Sequence, residues 1–279
     1  MSGVLSMNRR NLKYIYPNNK RHDYPLADDK LKTKEILDRL RVPHPVTYQA
    51  YRYFYQLSNL ESDLASLDSF VIKPASGHGG SGIKVIVGKG EDGWVTANGN
   101  RETLEDIRKH ISDIVFGIYS FDLHDTAIVE QLVVQHQTLA EFSPMGLADV
   151  RIITCKHKPV LAMLRIPSKV SHGKSNLHQG AIGVGVNIKD GITTNAIMKG
   201  RQISNHPDTG SDLLNIKIPG WENILEICQR VARDMPLKYL GFDIGMSSNG
   251  PVILELNVRP GIEIQNANLL GMRGILENG

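Results

Sequence analysis

Asp243, Glu255 and Asn257 are the side chains in this sequence best equipped for chemistry. They interrupt two apolar runs, residues 241–246 and 251–258, that flank Ser248-Asn249-Gly250, which is the pattern of a hairpin. Glu255 and Asn257 are two apart, so a strand points both to one face. A three-residue loop with Gly250 left-handed would set Asp243 opposite Glu255. Two carboxylates and an amide would then form a hard oxygen site, suited to Mg²⁺ or Mn²⁺ rather than Zn²⁺. An ordinary hairpin with a polar solvent face is the competing reading.

A second group of residues points to phosphate. Lys73 sits in the apolar run Phe70-Val71-Ile72-Lys73-Pro74, which leads into Ala75-Ser76-Gly77-His78-Gly79-Gly80-Ser81-Gly82 and a second strand from Ile83. Glycines let backbone N–H groups approach an anion closely. A lysine inside an apolar strand is costly to bury without an anionic partner. Phosphate binding is the expectation, although the loop matches neither the Walker nor the dinucleotide pattern and a plain hairpin remains open. His78, at the loop tip, reads as exposed rather than catalytic. Lys30 falls in the first turn of a helix capped by Asp28 or Asp29 and striped by Ile36, Leu37 and Leu40. A cation there opposes the helix dipole, so either a phosphate partner or chance placement accounts for it.

Glu130 breaks the apolar strand expected over 127–134, and backbone groups just after it would suit recognition of an adenine edge. Residues 149–155 and 159–166 read as a hairpin around Lys156-His157-Lys158. Asp149 and Arg151 share a face there, and Arg165 lies near the end of the return strand. Arginine suits planar phosphate recognition, with surface pairing of Asp149 and Arg151 as the alternative.

The elements that must position these residues are mixed. Helices are expected over 101–110 and 221–235, a further hairpin over 182–188 and 192–198, a polar insertion over 135–146, and a donor-rich loop over 171–180. Residues 1–28 are polar and read as an extended basic arm. An apolar fraction of 41% excludes a disordered chain, and the net charge of +3 is dispersed, so no nucleic-acid partner is expected. No apolar run spans a bilayer and no secretory h-region is visible. Cys155 and Cys228 lie in apolar patterns and read as buried free thiols, which fits a cytoplasmic protein. His172 and His178 are not spaced with the cysteines as zinc ligands.

Taken in order, Asp29-Lys30-Leu31-Lys32-Thr33-Lys34, Val71-Ile72-Lys73-Pro74 with its glycine loop, Glu130-Gln131-Leu132-Val133, Asp149-Val150-Arg151, Ser175-Asn176-Leu177-His178-Gln179-Gly180, and Asp243 with Glu255-Leu256-Asn257-Val258-Arg259-Pro260-Gly261 resemble the ATP-grasp superfamily. The Ser-Asn-Leu-His segment is similar to the RimK-like α-L-glutamate ligases in particular. The resemblance implies an α+β fold with two lobes of mainly antiparallel sheet gripping ATP between them. It implies an N-terminal arm over 1–28 and an ATP-grasp domain over 29–279, with lobes at about 45–134 and 135–279. It implies an ATP-dependent ligase that joins a carboxylate to an amine through an acyl phosphate, acting on amino-acid or peptide substrates. A kinase on the same scaffold and a non-catalytic ATP-binding module are the alternatives, and homo-oligomerisation is left open.

By the same resemblance Lys30 and Lys73 contact ATP phosphates and Glu130, Gln131, Leu132 and Val133 line the adenine pocket. Asp149 holds the ribose, and Lys174, Ser175 and Asn176 reach the nucleotide. Asp243, Glu255 and Asn257 hold two Mg²⁺ (or Mn²⁺) ions, and Arg165 stabilises the transferred phosphoryl group. The chain departs from the pattern in three places. Only a short arm precedes the Asp-Lys helix where the glutamate ligases carry a full α/β domain, the 135–146 insertion is long, and Gly241 stands where D-alanine ligase-like members hold an arginine.

Overall fold

The computed structural model describes residues 3–77, 79–91 and 93–278. The chain divides into two compact units, residues 45–133 and residues 1–44 with 134–279.

The 45–133 unit is built on a six-stranded antiparallel sheet. Its strands are β1 (Thr47–Tyr51), β2 (Phe70–Pro74), β3 (Lys84–Gly90), β4 (Gly93–Thr96), β5 (Arg101–Glu102) and β6 (Ala127–Glu130), in the spatial order β1-β6-β2-β3-β4-β5. The helix expected over 101–110 is instead Leu104–Val115. Arg101 and Glu102 pair with β4, and Thr103 with Asp106 forms a capping box that fixes the later start. Ile107, Ile111 and Ile114 form the buried stripe of this helix and join Phe70, Ile72 and Trp94 in one core. Fully burying one such side chain stabilises by roughly 1.5–3 kcal/mol. Strand pairing stops at Glu130, short of the expected Val134.

The other unit carries seven antiparallel strands: β7 (Asp149–Cys155), β8 (Lys158–Ile166), β9 (Ile182–Val186), β10 (Thr193–Met198), β11 (Arg201–Ile203), β12 (Tyr239–Ser247) and β13 (Gly250–Asn257). Their order is β11-β10-β9-β8-β7-β12-β13. Lys156 and His157 both have positive φ, the backbone of a tight two-residue turn between β7 and β8. Alternate residues of the strands serve different cores. Val150, Ile152, Leu164 and Phe242 meet the helix Trp221–Asp234 through Trp221, Ile224 and Val231. Ile153, Met163 and Tyr239 face the opposite way, toward Leu5, Ile15, Ile264 and Met272.

Residues 3–28 therefore do not form the extended arm that the polarity of 1–28 suggested. Short helical turns at Met7–Arg10, Asn11–Ile15, Arg21–Asp23 and Pro25–Asp28 fold this stretch. Leu5 and Ile15, both fully buried, fasten it to the second core. The helix Ile264–Asn268 shares that face, and it sits against β9 where residue 185 is glycine. A Cβ at Gly185 would lie 2.5 Å from the Ala267 carbonyl oxygen. Cys155 and Cys228 are buried free thiols, and burial pushes both pKa values up. No helix among the described residues is long and apolar enough to cross a membrane.

Candidate functional site

The β12–β13 hairpin sets Asp243 directly opposite Glu255 and Gly241 opposite Asn257. It reaches that register by a different route from the one expected. Ser247 pairs with Gly250, so the loop is the two residues Ser248 and Asn249. A bulge between Asp243 and Ile244 then supplies the missing residue and turns Asp243 back toward Glu255.

On the other side of β12 lies β7, with Arg151 opposite Asp243 and Asp149 opposite Gly245. Next comes β8, with Arg165 opposite Asp149. Asp149, Arg151, Arg165 and Asp243 thus share one face of the sheet. Arg151 holds Asp243 bidentately, Nε to Oδ1 at 2.7 Å and Nη2 to Oδ2 at 2.6 Å. Arg165 spans both acids, Nε to Asp149 Oδ1 at 2.6 Å and Nη2 to Asp243 Oδ2 at 2.9 Å. Asn257 Nδ2 donates to Asp243 Oδ2 at 3.3 Å. Asp149 and Asp243 are each only 5% exposed.

Lys30 explains itself here. Asp29 caps the helix Lys30–Arg39 by accepting from the Leu31 and Lys32 N–H groups. The Lys30 ammonium then lies 3.7 Å from Glu255. The first-turn cation answers a carboxylate of the protein itself.

Burial drives Asp149 up, to about 6, because Arg165 only partly offsets the loss of water and the Asp243 charge lies near. Burial also opposes ionisation of Asp243, but Arg151 and Arg165 together overcome it and hold this carboxyl well below the usual range. Arg165 is desolvated too, and the two carboxylates more than compensate, so its pKa is raised. The Nη1 groups of Arg151 and Arg165 take no part in these bonds.

Among the described residues no group of three His, Cys, Asp or Glu side chains is arranged to hold a metal ion. The candidate set has two carboxylates and completes itself with an amide. Asp243 Oδ2 already accepts from Arg151, Arg165 and Asn257, whereas among the described residues Oδ1 accepts from Arg151 alone and keeps a lone pair. Asn257 turns its Nδ2 to Asp243, which leaves its Oδ1 as an acceptor. With the part-exposed Glu255 this is an all-oxygen set that fits Mg²⁺ or Mn²⁺ chemistry. The departure at Gly241 also has a cause. A Cβ there would lie 2.6 Å from the Pro260 side chain, so no arginine fits. Guanidinium groups reach the acid from Arg151 and Arg165 instead.

In the 45–133 unit, Lys73 and Glu130 stand on the paired strands β2 and β6 and form a buried ion pair of 2.5 Å. The anionic partner that Lys73 required is therefore Glu130, and the Glu130 carboxylate is directed to Lys73. The Gln131 N–H donates to the Val46 carbonyl at 2.8 Å, and its side chain accepts from the Val46 N–H. Leu132 and Val133 follow, half-buried. His78 lies outside the described residues.

Lys174 is exposed, on a loop fastened beside the start of β7. Ser175 Oγ donates to the Leu147 carbonyl at 2.7 Å. Asn176 caps the turn Leu177–Gln179 by accepting from the His178 N–H. Among the described contacts, both side chains serve the loop's own shape. Arg151, expected to meet phosphate or to pair with Asp149 at the surface, is instead the closest partner of Asp243. The Asp-x-Arg alternation was the visible signal; its cross-strand partner was not.

Several comparisons bear on this geometry. No curated protein matches the chain. Among solved structures, the D-alanyl-alanine synthetase A of Vibrio cholerae is 13% identical with a TM-score of 0.54, over 91% of this chain and 63% of that one. The ATP-grasp ligase PsnB, solved with a minimal precursor, is 14% identical with a TM-score of 0.50, over 94% and 62%. A RimK domain ATP-grasp protein from Sphaerobacter thermophilus is 10% identical with a TM-score of 0.49, over 91% and 67%. The chain spans about three fifths of the first two, which share its fold. Residues 9–278 match the family described as sugar-transfer associated ATP-grasp, and the chain belongs to that family.

Proposed function

We propose that the protein is an ATP-dependent ligase that joins a carboxylate to an amine through an acyl phosphate. The observation that carries this reading is the buried network of Asp149, Arg151, Arg165 and Asp243 on one sheet face, with Glu255, opposite Asp243, paired to Lys30 of the neighbouring helix. A carboxylate does not acylate an amine at neutral pH. Transfer of the γ-phosphoryl group to a carboxylate oxygen makes the carbonyl carbon reactive and releases ADP. Attack of the amine nitrogen then forms the C–N bond, with loss of phosphate and of a proton from the amine.

Catalysis of the first step is placement and charge neutralisation. Asp149 and Asp243 hold the guanidinium planes of Arg165 and Arg151 edge-on, which leaves Nη1 of each to donate to the transferring phosphoryl oxygens. Arg165 is the group assigned to that charge, and the same donor suits the oxyanion of the second step. Asp243, Glu255 and Asn257 would hold divalent metal, which supplies further neutralisation of phosphate charge. Lys30 and Lys73 are assigned to ATP phosphates, and each would exchange or share its carboxylate on binding. Asp149, with a pKa near 6, is placed to orient Arg165 rather than to meet solvent. Residues 131–133 and Lys174, Ser175 and Asn176 remain assigned to the nucleotide.

The family description points to a sugar-transfer setting. Sugar-borne carboxylates and amines therefore join amino acids, glutamate included, and peptides as candidate substrates. The test is ADP and phosphate release with Mg²⁺ across that panel, with the parent compared to Glu255→Ala. Amine-dependent release of both products, lost in the variant, is expected. Phosphate retained on the product would make the protein a kinase, and nucleotide binding without turnover would make it a binding module.

A further inference from the structure

The glycine-rich loop after β2 is tied at both ends to the helix Leu104–Val115 and the turn that joins it to β6. At the near end, the Ser76 N–H donates to both oxygens of Asp125 at 3.1 Å. Asp125 is buried, and it also accepts from the Ser120 hydroxyl and, at 2.7 Å, from the Thr126 N–H. At the far end, His110 Nε2 lies 3.0 Å from the Gly82 carbonyl oxygen. The ring of Tyr119 covers Gly82, whose φ is +74° and where a Cβ would lie 2.7 Å from that ring. His110 and Tyr119 touch each other, with ring centroids 5.6 Å apart.

That turn is itself tightly fixed. Gly117 has a φ of +85°, and a Cβ there would lie 2.3 Å from the Leu123 carbonyl oxygen, so only glycine fits. His124 Nδ1 and the Asp125 N–H both approach the Val115 carbonyl that ends the helix. Burial, with the Lys84 charge nearby, lowers the His110 pKa, which favours a neutral ring donating through Nε2–H. Between the two clamps lie Gly79 and Gly80, both at positive φ. A loop whose ends are set before a ligand arrives has less conformational freedom to lose on binding.

We propose that Asp125, Ser120, His110 and Tyr119 are positioning residues that hold the glycine-rich loop in its phosphate-binding shape without touching the nucleotide. This rests on the reading of that loop and Lys73 as the phosphate-binding part of the 45–133 unit.

Two readouts test it: the affinity of the full chain for a non-hydrolysable ATP analogue with Mg²⁺, and amide hydrogen exchange. Asp125→Asn turns a donor toward the Ser76 N–H and is expected to weaken the analogue about tenfold, the scale of one charge-assisted hydrogen bond. Exchange at residues 76–82 should rise while β12 and β13 stay protected. Ser120→Ala, which leaves Asp125 in place, should move both readouts in the same direction by less. It also serves where Asp125→Asn does not fold. Faster loop exchange with unchanged affinity, or no change in either readout, would overturn the proposal. Lys73→Met combined with Glu130→Leu separates the two claims. If that variant binds the analogue as the parent does, the phosphate reading itself fails, and the positioning role falls with it. If it loses binding while Asp125→Asn and Ser120→Ala keep theirs, only the positioning role is wrong.

Discussion

In the 45–133 unit one lysine meets one glutamate across neighbouring strands. In the other unit three cations, Lys30, Arg151 and Arg165, meet three carboxylates, Asp149, Asp243 and Glu255, across four strands and a helix. The formal charges balance in both places, but the sharing differs. Lys73 and Glu130 face each other across β2 and β6, so removing one charge takes the counter-charge from the other. Asp243 is held by two arginines and Arg165 by two aspartates, so removing one member leaves two partners short of a counter-charge. A pair of the first kind gives up its partner only to a strong competitor. A network of the second kind can accept an added phosphate or dication by shifting bonds it already has.

The harshest challenge to this contrast is Asp243→Asn, which removes the charge that both arginines share. A loss of about 3–5 kcal/mol in urea unfolding is expected, as for one partner of a buried ion pair. A loss under about 1 kcal/mol would mean that Asp149 and Glu255 absorb both guanidiniums. Next comes the Lys73–Glu130 pair. Glu130→Gln alone should destabilise by about 2–3 kcal/mol, because a buried ammonium loses its counter-charge. Lys73→Met with Glu130→Leu should return to within about 1 kcal/mol of the parent. Failure of the double substitution to recover would show that the pair, too, is part of something larger.

The smallest effect is in pH. Asp149 has an ordinary carboxylate pKa of 3.8 when unfolded and about 6 when folded. Between those values the native chain holds a proton that the unfolded chain has lost, so the contribution of Asp149 to stability falls as pH rises through that window. Asp243 works in the opposite sense. Its lowered pKa contributes stability at neutral pH that is lost as pH falls below the ordinary carboxylate range. Asp149→Asn should therefore gain stability relative to the parent from about pH 4 to about pH 7, then level off. A flat difference in urea midpoints would remove Asp149 as the member that titrates.

Much of this was readable from residue order alone, for reasons that differ by place. The Asp243, Glu255 and Asn257 face was legible because period two is a local property of strands. The bulge that secures the pairing was not, since it and a longer loop give the same register. Lys73 announced that it needed an anion. Which anion was hidden, because Glu130 is distant in sequence and only strand pairing brings it near. Arg151 was seen beside Asp149 but partners Asp243. The fold of residues 5–28 was missed because two apolar anchors, Leu5 and Ile15, sit in an otherwise polar stretch with no period to detect. The later start of the Leu104–Val115 helix was available in Thr103 and Asp106, a local signal outweighed by helix-compatible residues before it.

The contact between Leu5 and Gln265 carries a consequence for how the molecule is made. The Leu5 N–H donates to Gln265 Oε1 at 2.8 Å and the Gln265 amide donates back to the Leu5 carbonyl at 3.0 Å, across 260 positions of sequence. The core around Ile15, Tyr239 and Met272 closes with the same partners. On a ribosome, the segment that ends at residue 133 has all its strands long before these partners emerge. The nascent chain would carry one finished body while Leu5 and Ile15 wait uncovered for the last helices. That interval is when a chaperone is most useful, and when a substitution at Gln265 would harm yield more than it harms the finished protein.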